Sequence, residues 1–221
     1  MKKHRIILLV TMFLPLAAVL IALPFLPEEI PAHYGFTGQV DRWGSKYETL
    51  VFPAFSVLFG LLMLGMAKYA GKQEENGRNN ERICLITGIC CNILFVAMTG
   101  FFLYTDFQKV ENLNQAAVEI NQIIFGLLGV GMVVIGNLLP KTKRNSMLGL
   151  RTSWSMKNDV TWQKSQWFAG VSCMIAGGAT VVFCLLVKGL SCLLWWLGIS
   201  TVVMIVDVVY TYRVYKRFGG E

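Results

Sequence analysis

Six apolar runs, at about residues 6 to 26, 50 to 67, 83 to 104, 118 to 139, 168 to 187 and 191 to 210, alternate with shorter polar connections. Each is close to the length, roughly 20 residues, that a helix needs to cross the hydrocarbon of a bilayer. In lipid a backbone N–H or C=O must bond within its own segment, so these runs predict helices. The fold class expected is an all-α integral membrane protein, a bundle of six transmembrane helices. The first run follows "MKKHR" in the position of a secretory signal. It is long, lacks a small-x-small cleavage pattern before "PEE", and precedes five more runs, so it is read as an uncleaved first helix. Ser45 and Glu48 stand three apart before the second run, which predicts a capping box, and Pro53 predicts a bend in the turns that follow. The stretch "NDVTWQKSQW" is expected to start the fifth span.

Composition agrees with the pattern. The chain is 55% apolar and only 15% charged, with a mean hydropathy of +0.55, which excludes an ordinary soluble domain. Its six cysteines lie in or beside apolar runs, without a Cys-x-x-Cys pair, and read as small packing residues. No metal or other cofactor is expected. The net charge of +7 is ambiguous until its placement is considered. Of the 20 Lys and Arg, 16 flank the chain ends and the connections after spans two and four; Arg42, Lys46, Lys109 and Lys188 occupy the other three. That asymmetry predicts cytoplasmic N- and C-termini, with anionic inner-leaflet lipids as partners of the basic loops. The loop at 27–49 then faces outward and the loop at 136–167 inward. The chain divides on this basis into residues 1–70, two spans with a structured extracellular loop, and 71–221, four spans with the large cytoplasmic loop. The tryptophans, in loops or at the start of span six, suit the headgroup layer. Direct nucleic-acid binding is excluded, since no basic region stands apart from membrane flanks and no stacking platform is present.

Two loops hold more than topology requires. The outer one, "LPEEIPAHYGFTGQVDRWGSK", is dense in Pro and Gly, including Pro31 and Gly38, and this predicts a defined conformation able to contact a ligand. Its groups capable of chemistry are His33, Asp41 and Lys46. One His among scattered carboxylates falls short of a metal set, so His33 is expected to be hydrogen-bonded within a folded loop. In the inner loop, lipid attraction accounts for Lys141, Lys143 and Arg144. It accounts less well for Gly149, Arg151, Thr152 and Trp154, where an Arg sits in a Gly-containing turn beside an indole. Inside the spans, Asn92 and Asp207 are the notable polar groups, and Asp207 is expected to find a partner in Arg144 or Arg151. With His33 the only histidine outside the N-terminal tail, and no nucleophile paired to a base, the protein is not expected to be an enzyme.

The stretch "GNLLPKTKRNSMLGLRTSWSMKNDVTWQKSQWFAG" resembles the signature of the SdpI family of bacterial membrane proteins. Gly136, Asn137, Pro140, Lys141, Asn145, Gly149, Arg151, Thr152, Trp154 and Trp162 match it. Leu150 stands for Ile, Ser153 for Pro, and Ser165-Gln166-Trp167 for Thr-His-Arg. The outer loop independently resembles the domain of unknown function that precedes this signature, through Ile30, Pro31, His33, Gly38, Asp41, Ser45 and Lys46, with Gly35 and Val40 departing from it. The resemblance implies immunity to a secreted Sdp-type toxin peptide. It also implies a possible receptor role, in which the inner signature holds a transcriptional repressor at the membrane. A small exporter of a peptide or drug is the alternative, and would depend on Asn92 or Asp207.

Overall fold

The computed structural model describes residues 1–72, 77–116, 119–145 and 148–220. Six helices long and apolar enough to cross a membrane carry the fold: α1 Lys2–Ala22, α2 Val51–Gly71, α3 Gly77–Gln108, α4 Ile120–Leu138, α5 Asp159–Leu186 and α6 Leu190–Phe218. They run up and down, with α1, α2 and α3 packed on one another, α4 and α6 both packed on α5, and α3 joined to α4. Both termini lie at one end of the bundle. There Arg5 of α1 holds Glu81 of α3 at 2.6 Å, and Asn158 donates to the Phe218 carbonyl at 2.8 Å.

Large apolar side chains cover the outside of the bundle, while small and polar residues are buried inside it beside a few large ones such as Leu8, Met12 and Leu85. Ser56, Ala67, Ala70, Thr99, Ala176 and Thr180 are buried, while Leu58, Leu61, Ile175, Leu185 and Leu186 are exposed. Lipid supplies no hydrophobic drive between helices, so association rests on close packing and interhelical hydrogen bonds. The α4–α5 contact shows how close. Gly129 faces Gly177 and Gly136 faces Gly170, each pair seven residues from the next on its helix, so the backbones meet where no side chain intervenes. A methyl group on Gly177 would fall 2.5 Å from the Gly129 carbonyl, and one on Gly136 would fall 2.7 Å from that of Gly170.

One helix start differs from the sequence expectation and another bears it out. The residues before α2 form a 3-10 turn, Lys46–Leu50, so Ser45 Oγ accepts from the Tyr47 N–H and not from Glu48. Glu48 reaches the Ser45 backbone, so half of the expected box exists, but its carboxylate is shared with Arg42. Pro53 lies in the first turn of α2, where a missing N–H costs little. Helix α5 begins at Asp159, well before its apolar run, because Asn158 and Thr161 form a reciprocal capping box there. The extra turns provide a scaffold for the loop before them.

The connection 26–50 contains an antiparallel hairpin, β1 Glu29–Tyr34 and β2 Val40–Ser45, an addition to the all-helical expectation. Gly38, at φ +80°, turns it.

The α4–α5 packing makes a paired prediction. Gly177→Ala forces a methyl against backbone and should lower stability by about 1–3 kcal/mol. Gly178→Ala, with open space around it, should leave the thermal midpoint in detergent unchanged or slightly raised.

Candidate functional site

At the hairpin end, two connections fold as one. The Val40 N–H donates to the Glu111 carbonyl at 2.9 Å, the Leu113 N–H to Gly38 at 2.7 Å, and Asn114 to the Thr37 carbonyl at 2.8 Å. Tyr34 adds its hydroxyl to the Val110 carbonyl at 2.8 Å. The hairpin is thereby tied to the segment after α3. Burial pushes the Tyr34 phenol up, the nearby Asp106 charge adds to the rise, and a hydrogen bond with Thr105 opposes it. The hairpin's basic groups are paired. His33 Nδ1 lies 2.6 Å from Asp41 Oδ1, which bears out a histidine hydrogen-bonded within the loop. Lys46 holds Glu28 at 2.8 Å across the base of the hairpin, and Arg42 makes a two-pronged contact with Glu48 at 3.0 and 2.8 Å. The hydrogen bond and charge of Glu48 raise the Arg42 guanidinium further.

Between the hairpin and the ends of α2 and α3 lies a mostly apolar cavity of about 390 Å³. Ile30, Pro31 and Val51 line it, with Phe52 and Phe102 stacked at 4.9 Å as part of its wall. Asp106, in the last turn of α3, also lines it. This residue was not singled out by sequence because it follows the apolar run as though it were part of the connection. A signal was present all the same: an acid in the last turn of a helix opposes the helix dipole, and so requires another reason to be there.

At the other end, the loop 139–158 folds against the start of α5. Trp162 is fully buried and its indole donates to the Thr142 carbonyl at 3.0 Å. Gln166, also fully buried, grips both backbone groups of Leu150: its Oε1 accepts the N–H and its Nε2 donates to the C=O, each at 2.9 Å. Gly149 precedes this clamp at φ +102°, and any side chain there would strike Gln166. Asn145 folds the turn before it, accepting from the Leu148 N–H at 2.7 Å and donating to the Lys143 carbonyl at 2.7 Å. Thr152 and Ser155 exchange side-chain to backbone bonds at 2.9 and 3.0 Å, and Thr152 reaches Thr211 of α6 at 3.4 Å. Trp154 packs on Tyr212 of α6, ring centres 5.0 Å apart. The Pro140 carbonyl accepts from Gln163 at 3.0 Å.

The signature residues thus separate by position. Pro140, Asn145, Gly149, Thr152, Trp154 and Trp162 shape the loop, while Asn137, Lys141 and Arg151 are exposed on it. Asp207 corrects an expectation. It accepts from Ser172 of α5 at 2.7 Å, whereas Arg144 pairs with Asp159 at 2.9 Å and donates to the Met156 and Lys157 carbonyls at 3.3 Å, and Arg151 is exposed. Arg144 is held at the start of α5, where an acid near a helix N-terminus is already favoured. Asn92 lies apart, where α1, α2 and α3 meet: it accepts from Ser56 at 3.0 Å, and Ser56 also donates to the Met12 carbonyl at 3.2 Å. The two intramembrane polar groups therefore belong to different helix packings.

Residues 141–212 match the SdpI/YfhL protein family, and residues 10–57 match a domain of unknown function, DUF1648. The chain is 22% identical over 221 residues, 99% of each chain, to Immunity protein SdpI of Bacillus subtilis (strain 168). No solved structure matches it.

Gln166→Leu keeps the volume and removes both bonds to Leu150. It should cost about 1–3 kcal/mol and speed hydrogen exchange in residues 148–156, with exchange in α4 unchanged. Gly149→Ala should loosen the same segment.

Proposed function

We infer that this chain, which belongs to the SdpI family, is a multi-pass membrane immunity protein that protects its cell by binding a secreted toxin peptide rather than by catalysis. One observation carries the reading: the hairpin is folded, docked on the segment after α3, and roofs an apolar cavity between α2 and α3. A shaped mouth of that kind suits an extended apolar peptide better than a tether would. The hairpin end faces outward and both termini are cytoplasmic. Supporting this, 16 of the 20 Lys and Arg lie at the end with the termini or in its connections.

The inner loop is the second half of the proposal. Its fold is held by Trp162, Gln166, Asn145 and Gly149, and on that frame Lys141 and Arg151 are displayed to the cytoplasm together with Asn137. This platform docks an acidic face of a transcriptional repressor, holding it at the membrane when toxin occupies the outer cavity. The helix α4 links the two sites, since it runs into the turn 139–141 that opens the inner loop at one end and starts near the hairpin's docking segment at the other. Signalling then requires two arrangements of the bundle that the toxin binds unequally.

Two measurements test the reading. With a cysteine at Phe36, on the hairpin tip, a membrane-impermeant maleimide should label intact cells, and one at Lys157 should label only after permeabilisation; the reverse pattern overturns the orientation. In a toxin-sensitive host, expression should restore survival, His33→Ala should reduce it, and Arg151→Ala should leave survival intact while abolishing repressor capture. No protection by the wild-type chain would overturn the immunity function.

A further inference from the structure

Asp106 is 1% exposed, and neither of its carboxylate oxygens has a hydrogen-bond partner among the described residues. It lines the outer cavity from the last turn of α3, where the dipole of its own helix disfavours a negative charge. A buried carboxylate left alone is costly, and one that is retained calls for a counter-charge. The groups around the cavity do not supply it. Arg42 lines the same space but both of its prongs are on Glu48. His33 is engaged by Asp41, Lys46 by Glu28, and the Tyr34 hydroxyl by the Val110 carbonyl. One turn before Asp106 on α3, Phe102 stacks on Phe52 and the pair presents apolar surface.

We propose that this cavity is a subsite for one cationic residue of an extracellular peptide, its apolar stem lying along Phe52 and Phe102 and its ammonium or guanidinium meeting Asp106. The proposal rests on the immunity reading for the identity of the peptide, and on the cavity alone for the charge it selects. An apolar wall with one unpaired acid, the other acid of the lining being held by Arg42, selects a positive group carried on an apolar arm, which a lysine, an arginine or a peptide N-terminus provides. Charge complementarity here also discriminates: an uncharged residue of equal length would leave the carboxylate desolvated and unpaired.

The test uses the full chain in nanodiscs free of amine-bearing lipids, with calorimetric titration of two blocked pentapeptides. One is acetyl-Phe-Leu-Lys-Leu-Phe-amide, and the other carries norleucine in place of lysine. The lysine peptide should bind the wild type at least about tenfold more tightly than the norleucine peptide. Asp106→Asn, which keeps the shape and removes the charge, should abolish that preference while its thermal midpoint stays equal or rises. Asp106→Glu should retain part of it. Equal affinity for the two peptides, no binding of either to the wild type, or a preference that survives in Asp106→Asn would each overturn the proposal. Protection in a toxin-sensitive host, measured in parallel, separates it from the broader reading. If wild type protects but the peptides are not distinguished, the cationic subsite falls and immunity stands. If the peptides are distinguished but wild type does not protect, immunity falls and the subsite stands.

Discussion

A backbone in hydrocarbon has no water to bond with, and the architecture follows from that constraint. Six segments answer it by being helical along their whole length. The stretches that are not helical answer it at the ends of the bundle, each with bonds of its own. The hairpin pairs its strands and then bonds its turn to residues 111–114. The loop 139–158 has too little regular structure to satisfy itself, and draws on side chains: Gln166 for both groups of Leu150, Trp162 for the Thr142 carbonyl, and Ser155 for the Leu150 carbonyl. Replacing Gln166 or Trp162 by an apolar side chain leaves the Leu150 N–H or the Thr142 carbonyl without that partner, which is why these side chains are fully buried at the start of α5.

The same economy explains how the two ends differ. The loop at the end bearing the termini is basic, its described residues held mainly by neutral amides, hydroxyls and an indole, with Arg144 adding an ion pair to Asp159 while Lys141, Lys143 and Arg151 are exposed. The hairpin end is closed by ion pairs, His33 with Asp41, Arg42 with Glu48 and Lys46 with Glu28, all at least partly in contact with solvent. Exposed pairs of this kind contribute little stability. They do occupy every basic group of the hairpin, and that leaves Asp106 beneath it without a hydrogen-bond partner among the described residues. An asymmetry of charge inside the cavity therefore arises from pairing on its rim.

The departure of Ser165-Gln166-Trp167 from the family's Thr-His-Arg acquires a physical meaning. Ser165 and Gln166 are buried and Trp167 is exposed. Gln166 presents a donor and an acceptor to one peptide unit, and its neutral amide does so without a charge to solvate in the interior. Any mechanism that needs a titratable group at this position is not available to this chain, whereas the loop geometry it supports is.

Apolar run lengths and the distribution of Lys and Arg were enough to predict six helices and the connections that carry the chemistry, because the bilayer imposes one length and one secondary structure on every span. Proline and glycine density foretold that the outer loop was shaped, and local spacing foretold the start of α5. What the chain order could not reveal was pairing across distance. Ser45 and Glu48 have the spacing of a capping box, yet Arg42 competes for the carboxylate. Asp207 looked in need of an arginine, yet a hydroxyl one helix away reaches it first. Asp106 looked like the edge of a connection and became the floor of a cavity, since burial is a property of the neighbours that fold over a residue. Only the tertiary structure decides those matters, because side-chain partners are chosen by what packing brings within 3 Å, and that depends on which faces meet across the bundle, as where the glycines of α4 and α5 bring two backbones together.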